Sequence, residues 1–144
     1  MSYTLDANVL LYASDESSSV HARARDVVGQ LAAGPEIAYL FWPTVMAYLR
    51  IATHPAVFAR PLSIVEAVGN IEQLLARPHI RTTGETEAFW RSFREVARDA
   101  LPSGNVVPDA HLVTLMLENE VRTILTRDRD FRRFPRIEVR DPFA

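Results

Sequence analysis

Few folds accommodate the stretch from position 109 to position 131, which runs DAHLVTLMLENEVRTILTRDRDF and reads as helix, turn, short strand and acidic loop. Pro108 fixes φ and suits the first positions of a helix, so Asp109 falls in the first turn, where the helix dipole favours a carboxylate. The strand at 122–126 is short and its centre is continuously apolar, which is typical of a strand covered on both faces of a parallel sheet. Asp128 and Asp130 follow this strand within the acidic loop, residues 126–130. Ligands of open parallel sheets collect at the carboxyl ends of the strands, so these side chains are candidates for a binding site.

The rest of the chain alternates predicted strands with predicted helices. We predict strands at 2–5, 37–40, 79–82, 122–126 and 137–139. We predict helices at 7–13, 20–33, 43–53 and 63–76, a fifth beginning near Thr86, and a sixth beginning at Pro108. The candidate helix caps are Ser17, Ser18 and Ser19 for the second helix, Ser63 for the fourth and Thr86 for the fifth. This alternation predicts an α/β fold with a parallel sheet and right-handed crossovers.

Length and composition predict a single domain spanning residues 1–144. The chain is 48% hydrophobic and 24% charged, which is ordinary for a globular protein. No apolar run reaches the roughly 18 residues of a membrane span, and the first residues lack the features of a signal peptide. We therefore expect a cytoplasmic protein that does not enter the membrane.

The available chemistry is limited by the absence of cysteine. Disulfides, thiolate nucleophiles and thiolate metal sites are excluded, which leaves carboxylate, imidazole and hydroxyl groups.

A net charge of −2 argues against a surface that is basic throughout and binds nucleic acid by its overall charge. All sixteen basic residues are nevertheless arginine, a residue that binds phosphate bidentately and also serves ordinary ion pairs.

Asp6 is the first of several carboxylates expected at one edge of the sheet. It directly follows the first strand, and the ends of the first and fourth strands can be neighbours at the switch point of a doubly wound sheet. Asp6, Asp128 and Asp130 would then meet, and Asp109 could complete the group. Such carboxylates repel one another unless they are protonated or share a cation. Mg²⁺ prefers hard oxygen ligands, so the pattern predicts a site able to support metal-assisted phosphodiester cleavage.

Most of these residues also have a purely structural interpretation. Asp109 could simply begin a helix, and Asp130 could cap a turn at Phe131. Asp6 is harder to explain in this way, because a carboxylate after a buried strand is costly unless it is paired or metal-bound. Thr126 could hydrogen-bond a ligand carboxylate or a phosphate, or could cap the chain locally.

Four ordered segments carry a resemblance to a known family. They are LDANVLL at 5–11, YLRIATHP at 48–55, NVVPDAHL at 105–112 and LTRDRDF at 125–131. With these segments in this order, the chain resembles a PIN-domain ribonuclease of the VapC toxin type over essentially its whole length. The resemblance implies a three-layer α/β/α sandwich with a five-stranded parallel sheet.

The resemblance also implies an activity, a cofactor and partners. The activity is metal-dependent endonucleolytic cleavage of RNA by the toxin of a VapBC-type toxin–antitoxin pair, with Mg²⁺ or Mn²⁺ as the cofactor. The implied partners are the RNA substrate, a cognate VapB-like antitoxin that blocks the acidic pocket, and a second copy in a homodimer. Asp6, Asp109, Asp128 and Asp130 are the expected catalytic residues, and Asp6, Asp109 and Asp128 are the expected metal ligands.

Ala47 is a departure from the family pattern. The family usually places a Glu three residues before the arginine that matches Arg50, and this chain has Ala47 there. The alternative is therefore a degenerate PIN domain that binds RNA or antitoxin without cleaving.

Two other classes of protein that use aspartates at strand ends fit less well. A haloacid-dehalogenase relative needs a second Asp where Asn8 stands, and a phosphoacceptor receiver domain needs a lysine, which this chain lacks.

Tyr48, Phe58 and Trp90 are the aromatic residues that we expect on a surface covered by an antitoxin helix. Aromatic residues at helical spacing more commonly belong to a core or an interface. Their exposure in the folded chain therefore tests this expectation.

Overall fold

The computed structural model describes residues 1–144 and contains five strands, six α-helices and two short 3₁₀ turns. The strands are β1 (Ser2–Leu5), β2 (Ile37–Tyr39), β3 (Ile80–Arg81), β4 (Thr123–Leu125) and β5 (Glu138–Arg140). The helices are α1 (Ala7–Ser14), α2 (His21–Ala33), α3 (Trp42–Ala52), α4 (Ile64–Leu75), α5 (Phe89–Ala100) and α6 (Val107–Glu118). The 3₁₀ turns are Gly104–Val106 and Arg129–Arg133. None of the helices combines the length and the apolar character that crossing a membrane requires.

The sheet has the strand order β3-β2-β1-β4-β5, and every pair of neighbours is parallel. β1 lies at the centre and pairs with β2 on one side and β4 on the other. The order reverses at β1, so β1 and β4 form the switch point where ligands of such sheets bind. The predicted α/β fold with a five-stranded parallel sheet is confirmed.

Two apolar clusters pack on opposite faces of this sheet. One contains residues of α1 to α4, and the other contains residues of α5 and α6. Neighbouring strand residues divide between them: Ala38 belongs to the first cluster and Tyr39 packs against the second. In the same way Ile124 belongs to the second and Leu125 packs against the first. Because successive strand residues point to opposite faces, the sheet forms the middle layer of an α/β/α sandwich.

Helix starts show which sequence signals acted as predicted. Ser63 caps α4 in a full capping box, in which its hydroxyl accepts from the Glu66 N–H and the Glu66 carboxylate accepts from the Ser63 N–H. The serines before α2 do not cap it. The N-cap is Val20, whose side chain cannot accept a hydrogen bond. Ser18 Oγ accepts from the N–H of Val20, which precedes the first helical residue, His21.

Of the three aromatic residues expected on an antitoxin surface, only Trp90 is exposed, at 66%, and its contact with an antitoxin stays a prediction. Tyr48 and Phe58 are buried in the cluster formed by α1 to α4. The Tyr48 hydroxyl hydrogen-bonds Ser14 Oγ at 2.7 Å and accepts from Asn70 Nδ2 at 3.0 Å. Tyr48 and Phe58 therefore stabilise the fold and do not form a surface for an antitoxin helix.

Candidate metal centre

The pairing of β1 with β4 places the first aspartate beside the acidic loop. Leu5 and Leu125 are register partners, so Asp6 and Thr126 are the next residues along the two neighbouring strands. The Asp6 N–H donates to the Leu125 carbonyl oxygen at 3.2 Å, which extends the pairing to the point where β1 turns into α1. The sheet thereby holds Asp6 at its carboxyl edge, where its side chain is only 8% exposed.

Both oxygens of the Asp6 carboxylate have hydrogen-bond donors. Oδ1 accepts from the Val9 N–H at 3.3 Å and caps α1, and Oδ2 accepts from the Thr126 hydroxyl. Burial raises the pKa of Asp6, and the bonds from Thr126 and from the α1 backbone oppose that rise. These bonds fix the orientation of a carboxylate that would otherwise be costly to bury.

The acidic loop is held by a chain of side-chain caps that starts at Thr126. Thr126 is 1% exposed, and its hydroxyl oxygen accepts from the Asp128 N–H at 2.9 Å while the hydroxyl donates to Asp6. Asp128 Oδ1 in turn accepts from the Asp130 N–H at 2.9 Å and caps the 3₁₀ turn at Arg129–Arg133. The cap of this turn is therefore Asp128, and the interpretation of Asp130 as the cap is wrong. Both roles considered for Thr126 are present, since its hydroxyl donates to the Asp6 carboxylate and also caps the chain locally at Asp128.

Asp109 completes the group from the first turn of α6. Carboxylate oxygens of Asp109, Asp128 and Asp130 lie within 4.8 Å of one another. Asp6 is outside that tight set, but it lines a pocket of about 170 Å³ together with Asp109 and Asp128. At roughly 30 Å³ for each water molecule, the pocket has room for an ion with several waters. Asp130 is exposed and does not line the pocket.

None of these aspartates forms an ion pair within the protein. The ion pairs of the structure are Glu85 with His111 and Glu138 with Arg140, and neither includes a residue of the aspartate group. Burial raises the pKa of Asp109 to about 7, with smaller contributions from the negative charges of Asp128, Asp130 and Asp6, while Arg133 acts in the opposite direction. A set of hard oxygen donors with uncompensated charge is the chemistry that suits a Mg²⁺-type cation. The residues present therefore fit a divalent metal.

The part of the pocket that α3 lines contains no charged group. It consists of Pro43, Thr44 and Ala47. No glutamate elsewhere in the sequence takes the place left by Ala47. Glu85 Oε1 lies 2.5 Å from His111 Nε2, and Glu118 Oε2 accepts from the hydroxyls of Thr86 and Ser92.

Four further residues line the pocket and are not among the site residues predicted from the sequence. They are Ala7, Thr44, Leu112 and Phe131. Leu112 follows Asp109 by nearly one helical turn, and helical spacing alone could have indicated its position. Thr44 could not be found in this way, because only the packing of α3 against α1 brings it to the pocket.

In the metal-free protein, we expect Asp109→Asn to raise the melting temperature clearly more at about pH 8 than at about pH 5. The folded-state pKa of Asp109 is about 7 and exceeds the value of about 3.9 in an unfolded chain. The raised pKa therefore contributes stability that is present below the unfolded value and is lost as the pH rises through about 7. Asn stays neutral at every pH. Thermal melts in EDTA at both pH values test this, and an equal offset between variant and wild type at the two would contradict it.

The chain is similar over nearly its whole length to curated proteins that share one name, VapC ribonuclease. No family model matches the chain. The chain is 47% identical to Ribonuclease VapC48 of Mycobacterium tuberculosis over 144 residues, which covers 100% of this chain and 99% of that protein. It is 36% identical to Ribonuclease VapC43 of the same species over 138 residues, which covers 96% of this chain and 93% of that protein.

Solved structures support the same fold. The structure of M. tuberculosis VapC20, described as a sarcin-ricin loop cleaving toxin, superposes with a TM-score of 0.68 at 13% identity and covers 96% of this chain and 99% of that one. The VapBC-1 structure from nontypeable Haemophilus influenzae gives a TM-score of 0.68 at 18% identity and covers 100% of both chains. At these identities the match shows the fold alone. The full-length identity to VapC48 and VapC43 shows more: this chain belongs to the VapC ribonuclease family.

Proposed function

We propose that this protein is a Mg²⁺- or Mn²⁺-dependent endoribonuclease and the toxin of a VapBC-type toxin–antitoxin pair. The observation that carries the proposal is the convergence of Asp6, Asp109 and Asp128 on one pocket, with Asp130 close to Asp109 and Asp128 and no ion pair to any of the four. The names of the full-length relatives, which are VapC ribonucleases, support the same activity. Residues 1–144 would form a single catalytic domain that acts in the cytoplasm.

Each aspartate has a distinct task in this proposal. Asp6, Asp109 and Asp128 would hold the cation, and Thr126 fixes the orientation of the Asp6 carboxylate through its hydroxyl. A divalent cation bound there would favour formation of hydroxide from water and stabilise the oxygen that leaves the phosphorus. Asp130 lies on the solvent side, where its carboxylate offers acceptors that can orient a water molecule toward an incoming phosphodiester. No side chain in the pocket is a credible covalent nucleophile.

Arginines beside the pocket suit an RNA backbone. Arg127, Arg129, Arg132 and Arg133 are exposed, and none of them forms an ion pair. The guanidinium groups of Arg129, Arg132 and Arg133 are therefore available to bind phosphate oxygens, which reconciles RNA binding with a net charge of −2. The RNA backbone would bind along the exposed side of this loop, next to the aspartates.

A VapB-like antitoxin and a second copy of the chain are the proposed protein partners. The solved structures with this fold include VapBC complexes from Rickettsia felis and Salmonella typhimurium. Trp42, Met46, Trp90 and Val107 are between 41% and 66% exposed, which leaves large apolar surface for a partner to cover.

The experiment that tests the activity uses purified protein, free of antitoxin, and a structured RNA. We expect cleavage with Mg²⁺ or Mn²⁺, none in EDTA, and recovery when excess cation is restored. Attack by water predicts 5′-phosphate and 3′-hydroxyl ends. Products that end in a 2′,3′-cyclic phosphate would instead indicate a metal-independent ribonuclease and would contradict the proposal.

The second candidate function is binding of RNA or antitoxin without cleavage. The absence of a charged group from the α3 lining favours it, because a cation in this pocket has only Asp6, Asp109 and Asp128 as carboxylate ligands. Inert protein whose metal binding is nonetheless normal would support this alternative.

Ala47→Glu is expected to increase affinity for Mn²⁺ several-fold and to lower the melting temperature in EDTA at about pH 8. The half-buried Ala47 faces the pocket, so the new carboxylate would add a ligand when the cation is bound and a repelling charge when it is absent. Calorimetric titration and thermal melts measure the two effects. Ala47→Gln is the matched control, since it has the same length without the charge. Equal affinities for the two variants would show that position 47 does not reach the cation.

A further inference from the structure

Phe143 is buried outside the two apolar clusters that cover the sheet. It follows β5 in the segment Asp141–Ala144 and is 7% exposed, yet it is part of neither apolar cluster. Its ring lies 6.2 Å from the ring of Tyr12 on α1. Its N–H donates to Asp141 Oδ1 at 2.9 Å, and its carbonyl oxygen accepts from Nη2 of Arg23 on α2.

Two guanidinium groups from different parts of the chain contact this one ring. The central carbon of Arg23 lies 5.8 Å from the ring centroid and that of Arg127 lies 5.6 Å from it. Both distances are within the range of cation–π attraction. Arg23 comes from a helix far from the aspartates in sequence, whereas Arg127 is in the acidic loop. The ring therefore joins α2 and the segment after β5 to the loop that carries Asp128.

Arg127 is the link between Phe143 and the aspartates. Its two neighbours are the residues that organise the pocket: Thr126 donates to Asp6, and the Asp128 N–H donates to Thr126. Arg127 is exposed and forms no ion pair, so its contact with the ring is the side-chain interaction that restrains it. Holding Arg127 on the ring restrains the backbone of the acidic loop between the Thr126 and Asp128 caps.

We propose that Phe143 is a positioning residue for the acidic loop: stacked against Arg127 and anchored by Arg23 and Tyr12, it holds Asp128 and Asp130 in the arrangement that accepts a cation. The role of the loop in metal binding rests on the proposed function. The restraint itself is a property of the metal-free chain and can be measured without metal or RNA. Phe143 contacts neither cation nor substrate in this proposal.

The test measures ¹⁵N relaxation of the Asp128 and Asp130 amides in the metal-free, full-length protein. In the wild type we expect order parameters near the rigid value of about 0.85, and in Phe143→Ala we expect them to fall toward 0.6 or below. Phe143→Tyr keeps the ring face and should restore the wild-type values. Arg127→Gln changes an exposed residue and should reproduce the loss in a protein whose folding is not in question.

A matched control separates loop restraint from general loss of packing. Phe58 is likewise a buried phenylalanine in a loop, at 5% exposure, but it belongs to the cluster formed by α1 to α4. Phe58→Ala should lower the melting temperature and leave the order parameters of Asp128 and Asp130 unchanged. If Phe143→Ala and Arg127→Gln both keep a rigid loop, the positioning role is wrong.

Titration with Mn²⁺ then distinguishes this proposal from the function on which it rests. If the wild type binds Mn²⁺, Phe143→Ala should bind it several-fold more weakly and Phe143→Tyr should bind it like the wild type. Wild-type affinity in Phe143→Ala would overturn the positioning role alone. A wild type that does not bind Mn²⁺ but shows the predicted loss of order in Phe143→Ala would overturn the metal proposal and leave the restraint of the loop in place.

Discussion

Asp6→Asn is expected to reduce metal-dependent RNA cleavage by at least about 100-fold. This is the upper end of the loss of activity seen when residues that support a metal's ligands are changed. The side chain keeps its size, and its remaining oxygen can still accept from the Val9 N–H and cap α1. The charge is lost at a position that is 8% exposed and lines the pocket with Asp109 and Asp128. Burial raises the pKa of Asp6, so removing the charge should not destabilise the fold.

The control for this prediction is Asp26→Asn, which removes an exposed carboxylate from α2. It makes the same chemical change far from the pocket, and we expect unchanged cleavage. Initial rates of RNA cleavage at saturating Mg²⁺ and melting temperatures at about pH 8 should be measured for both variants. Loss of activity in Asp6→Asn accompanied by a large fall in melting temperature would contradict the assigned role, since it would indicate damage to the fold.

Thr126→Val is the second change with a large expected effect, a loss of roughly 10- to 100-fold in metal affinity and cleavage. The hydroxyl of Thr126 donates to Asp6 and accepts from the Asp128 N–H, so it connects the sheet edge to the acidic loop. Valine has nearly the same shape but leaves a buried carboxylate oxygen of Asp6 without its donor. The pKa of Asp6 should then rise further, because the Thr126 bond now lowers it, and metal binding should weaken most at low pH.

Thr126→Ser should restore most of the activity, because it keeps the hydroxyl and loses only a methyl group. Thr114→Val is the matched control, since Thr114 is also fully buried and its hydroxyl donates to the Ala110 carbonyl oxygen within α6. That change removes a buried hydroxyl without contact to the aspartates. Equal losses in Thr126→Val and Thr114→Val would mean that the effect of Thr126 is on general stability.

The sequence allowed the main architecture to be predicted because its signals are local. Short apolar strands alternate with helices, and Pro108 and Ser63 mark helix starts by their backbone and capping chemistry. The proximity of Asp6 to the acidic loop followed from one topological rule, that neighbouring parallel strands end at the same edge. The pairing of β1 with β4 agrees with that rule.

The features that could not be predicted from the sequence depend on contacts between residues that are distant in the chain. Nothing in the sequence near Tyr48 indicates that its side chain is buried or that its hydroxyl forms hydrogen bonds with Ser14 and Asn70. The choice of Asp128 over Asp130 as the cap depends on the geometry of the turn after β4. The contact of Phe143 with Arg127 joins residues sixteen positions apart through a single aromatic ring, and no spacing pattern indicates it.

The most direct test of the proposed metal centre is calorimetric titration of the purified, antitoxin-free protein with Mn²⁺, comparing the wild type with Asp109→Asn at about pH 8, where Asp109 is ionised. We predict saturable binding by the wild type, displacement by Mg²⁺, and loss of most of the affinity in the variant, because Asp109 brings the only carboxylate that α6 contributes to the pocket. Equal Mn²⁺ affinity in the two proteins, or no binding by a folded wild type, would show that the aspartates at this edge of the sheet do not form a metal site.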